Sequence, residues 1–311
     1  MRLGRNGRWM GSIPAMLLMC VASHLRAQDS QVQTFPTYRA AATAFMTAVR
    51  AKDEDALKQI LGAREQELLS SGDATQDENA RLKFLERYDQ AHALVRKTRD
   101  KVILTVGPSA WPVPFPIVRV DGAWHFDAAE GAQEMAYRRI GHNELDAIRV
   151  CQALYTAQKQ YAATSHDHVP AGTYAQRFRS EPGAQNGLYW EVKEGESPSP
   201  AGSLVAEATS EGYDSTKQSG KPTPFHGYLY RILKAQGPNA PGGAKDYVLD
   251  GKMTGGFAFV AYPAEYRSSG VMTFLVGPRG VVYQKDLGET TEELAKGIAA
   301  FDPDSTWRAV R

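Results

Sequence analysis

The hydrophobic pattern begins at Phe35. From there Tyr38, Ala41, Ala42, Phe45, Ala48 and Val49 recur every three or four positions, which places one apolar face on a helix. Asp53 stands where an N-cap would. Ala56, Leu57, Ile60 and Leu61 then predict a second, shorter helix that Gly62 stops. "SSGD" at 70–73 is a turn, and Leu82, Leu85, Tyr88 and Val95 predict a third helix. The period then drops to two. "KVILTVG" (101–107), "PFPIVRV" (114–120) and "GAWHFD" (122–127) read as strands, the last two joined by a tight turn at Asp121-Gly122.

Residues 128–163 predict one or two helices, with Asn143 a candidate N-cap. Ala147, Val150, Leu154, Ala157 and Tyr161 form one stripe, and Ile148, Cys151 and Tyr155 widen it, as a helix lying on a sheet requires. Residues 164–224 change character. They are rich in Gly, Pro, Ser and Asp, with short candidate elements at "TYAQRF" and "SLVAEATSEGY". Strand alternation returns at 224–236, with His226, Tyr228, Tyr230 and Ile232 on one face and Phe225, Leu229, Arg231 and Leu233 on the other. "KDYVLDGKMTGGFAFVAYP" gives two more strands, turned at Asp250-Gly251 or by the later glycines. Pro278 and Gly280 fit a type I turn between 271–276 and 281–286, and a closing helix spans 290–301.

The pattern therefore predicts an α+β fold in two domains, 35–135 and 136–311, each with helices packed on an antiparallel sheet. The second carries the long irregular insertion 164–224, and residues 28–34 form a loose leader to the first.

Residues 1–27 have a different character. Arg2, Arg5 and Arg8 precede the apolar run Ile13–Ala22, and Ala27 offers a small residue at a cleavage point, which reads as a secretory signal peptide. Loss of 1–27 removes four arginines and no acid, so the formal charge falls from +1 to −3. A mildly acidic chain has no electrostatic case for binding nucleic acid. No later segment is long and apolar enough to span a bilayer. Localisation is expected to be periplasmic or secreted. Cys151 is the only cysteine beyond that segment, so an intramolecular disulfide and a four-cysteine zinc site are both excluded.

Motif chemistry is sparse. The chain has no G-x-x-x-x-G-K-[ST], no G-x-S-x-G and no H-E-x-x-H. His166-Asp167-His168 is a candidate transition-metal pair with His226 as a third ligand; a solvated polar loop is the competing reading. Tyr189 and Trp190 are a candidate sugar- or peptide-stacking platform, with burial of Trp190 as the alternative. Cys151 falls on a helix stripe and reads as core rather than nucleophile. Gln284, Lys285 and Asp286 read as strand-end chemistry, with Asp286 satisfying backbone donors. No cofactor is expected. The function expected is a non-catalytic binding or interaction module whose partner is an envelope protein or glycan. A hydrolase or metal-dependent enzyme using His226, the His166–His168 loop and carboxylates from 164–250 is the alternative.

Several phrases carry a resemblance. They include "LLSSGD", "FLERYDQAHALV", "WPVPFPIVR", "WHFDAAEG", "RRIGHNELDAIRVCQA", "YAQRFRSEPGAQNGLYW", "HGYLYRILKAQGPNAPGGAKDYV", "MTGGFAFVAYPAEYRSSGVMTFLV" and "GVVYQKDLG". Together they resemble the bacterial family called domain of unknown function 2950, from about Phe35 to the C-terminus. The resemblance implies a secreted or periplasmic protein and no assigned activity. Family members often show an acidic D-x-D-G-D-G loop where this chain reads "ATSHDHVPAGTYAQRF". Only Asp167 remains, too few oxygen ligands for a calcium loop. By pattern alone, the first domain is similar to nuclear transport factor 2-like and cystatin-like folds, and the second to the globular head of type IV pilins and pseudopilins, without their apolar stem.

Overall fold

The computed structural model describes residues 32–62, 69–167, 169–193, 195–213 and 222–310. Helices and antiparallel sheets make an α+β fold. Helix α1 (Tyr38–Ala51) is capped by Thr37, whose hydroxyl accepts from Ala40 N–H at 3.1 Å. Helix α2 (Glu54–Leu61) is capped by Asp53 and ends at Gly62, φ +75°. Helix α3 (Ala74–Gln90) follows Asp73. A meander then forms from β1 (His92–Thr98), β2 (Lys101–Val106), β3 (Trp111–Pro112), β4 (Ile117–Val120) and β5 (Ala123–Phe126). Its strand order is β1-β2-β4-β5, with β3 also on β2. The face of α1 that carries Ala41, Phe45 and Val49 packs on this sheet, and Phe45 meets Phe115 and Phe126 at ring-centroid distances of 5.6 and 5.1 Å.

Helix α4 (Ala128–Ala163) is one uninterrupted rod of 36 residues, about 54 Å long. Ala128 and Ala132 sit in the first hydrophobic cluster, whereas Ala147, Val150, Cys151, Leu154 and Tyr161 sit in a second. Beyond it lie α5 (Gly202–Ser210), β6 (Tyr228–Leu233), the short strands β7 (Ala235–Gln236), β8 (Lys245–Asp246), β9 (Val248–Leu249) and β10 (Lys252–Met253), then β11 (Ala258–Pro263), β12 (Met272–Val276), β13 (Val282–Asp286), α6 (Thr291–Gly297) and β14 (Arg308–Ala309). The second sheet runs β14-β13-β12-β11-β6, all antiparallel. Helix α4 packs on β11, β12 and β13, while α6 packs on β11 from the side where Arg231 donates to the carbonyls of Ala295 and Ile298, both at 2.7 Å. Covered on both faces, β11 is buried at every position, which is why "AFVAYP" reads as a continuous apolar run.

The two clusters meet where the start of α3 touches the middle of α4. Gln76 and Asn143 pair through their amides, Nε2 to Oδ1 at 2.6 Å, and Asn143 Nδ2 also donates to Ser269 O at 2.8 Å. Arg139 Nε donates to Ser268 O at 2.9 Å.

Four expectations change. Asn143 caps nothing: it is fully buried inside α4, and its amide satisfies groups from two other elements. Val95 belongs to β1, because α3 stops at Gln90 and the largely exposed "HALVRKT" is held as an edge strand by β2. His226 lies outside β6; it is the first of two left-handed residues in the turn Phe225–Tyr228, with φ +51° followed by Gly227 at +71°. The closing helix is Thr291–Gly297, shorter than 290–301. The irregular stretch is tied down by backbone bonds such as Ser180 N to Tyr189 O and Tyr189 N to Phe178 O, both at 2.8 Å.

Candidate functional site

The chemistry gathers around His226. The Phe225–Tyr228 turn presents it, since a backbone near φ +50° is open to histidine more readily than to most side chains. Gly227 is required next to it, because a Cβ there would collide with the Asn143 amide. Asp73 anchors the turn. Its Oδ2 accepts from Gly227 N–H at 3.0 Å and from the Tyr213 hydroxyl at 2.8 Å, while Oδ1 accepts from Gln76 N–H at 3.1 Å as the cap of α3. Tyr213 in turn accepts from His226 N–H at 3.2 Å. Burial, and then the adjacent Asp73 charge, push the Tyr213 hydroxyl well above its ordinary pKa, so it stays a neutral donor.

Three carboxylates surround the imidazole. Glu211 Oε2 lies 3.4 Å from Nε2 and Asp146 Oδ2 lies 3.7 Å from Nδ1. Glu207 on α5, one turn before the C-cap residue Glu211, completes a group whose ligand atoms, with those of Glu211 and His226, all lie within 4.8 Å of one another. Arg149 on α4 pairs with Glu207 at 2.8 Å and Asp146 at 3.4 Å. The His226 side chain is 9% exposed, and its Nε2 lacks a hydrogen-bond partner. Two threonine hydroxyls, Thr173 and Thr273, share that condition among the described residues, so His226 is the one ionisable group left in it. An unmade bond of this kind costs roughly 1–3 kcal/mol.

Helix α5 has a second use. Glu207 and Glu211 point one way; Val205, Ala206, Thr209 and Ser210 lie on the other side and line an open groove with Tyr189 and Trp190. Tyr189 lies under the Arg179 guanidinium at 5.0 Å. Trp190 packs its ring near His166 at 5.3 Å and Tyr161 at 6.4 Å, so it is part anchor and part wall.

The other sequence candidates are placed elsewhere. His166 is buried at the C-terminal end of α4, stacked on Tyr161 at 4.2 Å. Its Nε2 contacts Tyr161 O at 2.8 Å and Thr164 Oγ1 at 3.1 Å, and its Nδ1 contacts Gln185 Oε1 at 3.3 Å. His168 lies outside the described residues. Asp167 accepts from Gln185 N–H at 2.7 Å. Asp146 and Tyr161, the α4 neighbours of the two buried histidines, are 15 residues apart, about 22 Å along the helix, so His226 and His166 are not brought together. Cys151 is fully buried, which raises its thiol to about 12 and leaves it inert. Asp286 accepts from Gly288 N–H at 2.8 Å and from the Tyr266 hydroxyl at 3.0 Å, the strand-end role expected of it.

A family model described as "Protein of unknown function (DUF2950)" matches residues 32–310. The chain belongs to this family. No curated protein and no solved structure matches it.

For a DUF2950 member the sequence offered His226, Tyr189 and Trp190 directly. It offered the carboxylates of 164–250 only as a class, without singling out Glu207 or Glu211, and did not yield Asp73 or Asp146. Glu207 and Glu211 carried a signal, four residues apart in a segment with helical period; Asp146 and Asp73 come from distant elements and carried none.

Proposed function

We propose that the protein is an exported cell-envelope binding module whose recognition surface is the groove between the Tyr189–Val192 segment and α5. The observation that carries this reading is the lining of that groove: two adjacent aromatic rings, Trp190 and the Arg179-stacked Tyr189, beside Ser199, Thr209 and Ser210. Rings offer a face to the C–H surface of a sugar, and hydroxyls and Glu191 match sugar hydroxyls. The occupant that fits is therefore a glycan strand. The basic and apolar pattern of residues 1–22 supports export, and the two hydrophobic clusters support two domains joined by α4.

The binding test is co-sedimentation of the purified protein with peptidoglycan sacculi, before and after enzymatic removal of the stem peptides. Binding that survives this removal and falls at least tenfold in Trp190→Ala and Tyr189→Ala supports the reading. Absence of binding, or loss on removing the peptides, overturns it, the latter in favour of a peptide ligand. Fractionation of cells expressing the full chain tests export separately.

A further inference from the structure

We propose a divalent transition-metal site at His226, Glu207 and Glu211, with Asp146 as the neighbouring carboxylate. It lies on the opposite side of α5 from the groove and does not depend on what the groove binds. Four observations converge on it.

The first is the orphaned Nε2 of a histidine 7% exposed, aimed at Glu211 Oε2 from 3.4 Å without forming a hydrogen bond. An imidazole nitrogen so placed has a lone pair to give, provided the proton sits on Nδ1. There Asp146, at 3.7 Å, faces it as the carboxylate that commonly orients a ligating histidine.

The second is charge. Asp146, Glu207 and Glu211 bring three negative charges and Arg149 returns one, a surplus that a single dication cancels. The Arg149 side chain is 46% exposed, so it can release Glu207 into solvent without breaking packing.

The third is the helix. Glu207 and Glu211 stand at the C-terminal end of α5, where the backbone dipole already disfavours carboxylates, and a bound cation relieves both repulsions at once.

The fourth is rigidity. The two hydrogen bonds from the Phe225–Tyr228 turn into the Asp73–Tyr213 pair fix the imidazole in place before any metal arrives.

The donor set selects the ion. One imidazole with carboxylates suits zinc and its neighbours rather than magnesium or calcium, which take oxygen throughout. Bond lengths near 2.0–2.1 Å place tetrahedral ligands roughly 3.3 Å apart. The present 4.8 Å spread therefore closes by rotamer changes at Glu207 and Glu211.

The experiment is calorimetric titration of the EDTA-stripped full protein with Zn²⁺ alone, repeated with Ca²⁺, and with Co²⁺ followed by its visible spectrum. The expected result is one Zn²⁺ per chain at micromolar affinity or tighter, weak or absent Ca²⁺ binding, and a Co²⁺ absorption band characteristic of a nitrogen ligand. His226→Asn tolerates the left-handed backbone and should weaken Zn²⁺ binding at least 100-fold, with Glu211→Gln weakening it about tenfold. His166→Asn should leave it unchanged. Melting curves in EDTA check that each variant is folded. No Zn²⁺ binding by the wild-type protein overturns the proposal, and so does binding that survives His226→Asn or is lost in folded His166→Asn. A sacculus-binding failure with Zn²⁺ binding intact would remove only the groove reading.

Discussion

His166 and His226 are each 7% exposed, both lie beside the same long helix and both touch an aromatic ring, yet their polar surroundings differ. His166 sits where α4 ends. Both its ring nitrogens find partners, and its face lies on Tyr161. It closes the helix terminus by bonding a last-turn carbonyl, Tyr161 O, whose backbone partner is the distant Thr164 N–H at 3.5 Å. His226 sits against the middle of α4 among carboxylates, with Nε2 unbonded. Equal burial thus conceals unequal chemistry. A histidine whose hydrogen bonds are complete stabilises the fold, whereas one left incomplete in an acidic pocket stores a cost that a ligand can recover. The contiguous H-D-H cluster, the sharpest feature of the linear sequence, falls on the first kind.

The largest effect should come from removing what frames His226. Asp73→Ala strands three donors, the Tyr213 hydroxyl and the Gly227 and Gln76 amides, and should cost about 3 kcal/mol in urea unfolding. A loss under about 1 kcal/mol would mean the turn under His226 is held by something else.

Next in size is the comparison itself. In EDTA, His166→Ala should cost about 2 kcal/mol through its lost bonds and stacking, while His226→Asn should stay within about 1 kcal/mol of wild type. Equal losses would break the contrast.

The smallest effect concerns Asp77, beside this frame. Burial raises its pKa above the ordinary carboxylate value, and hydrogen bonds from Ser71 partly offset the rise. A raised folded-state pKa means that stability is whole below the unfolded value, about 3.9, and is lost as pH climbs through the folded one. Wild-type protein should therefore lose a little stability between about pH 4 and neutrality that Asp77→Asn retains. Parallel urea midpoints for the two across that range would show that Asp77 carries no such charge cost.

Much of the fold was legible. The apolar stripes of α1 and α2, the cap Asp53, the paired turn residues Asp121-Gly122 and Asp250-Gly251, and the strand run of β11 are local patterns that the backbone obeys. Legibility failed where neighbours outvoted local preference. Asn143 has the composition of a cap, but Gln76 and Ser269 satisfy its amide, so the helix runs through it. Val95 fits the helical period of α3, but the pairing of β1 with β2 takes it into the sheet.

The sequence by itself determined most helices and the longer strands, their order, the α+β class and the family, because hydrophobic period and turn chemistry act over a few residues. It also placed Tyr189, Trp190 and His226 among the residues worth watching. Tertiary structure alone decided which charges meet. Asp73, Asp146, Glu207, Glu211 and His226 come from four separate parts of the chain, and only the packing of α3, α4, α5 and the turn before β6 brings them together. Electrostatic contact depends on distance in space, and nothing in a linear pattern of apolar and polar positions encodes that distance across 150 residues.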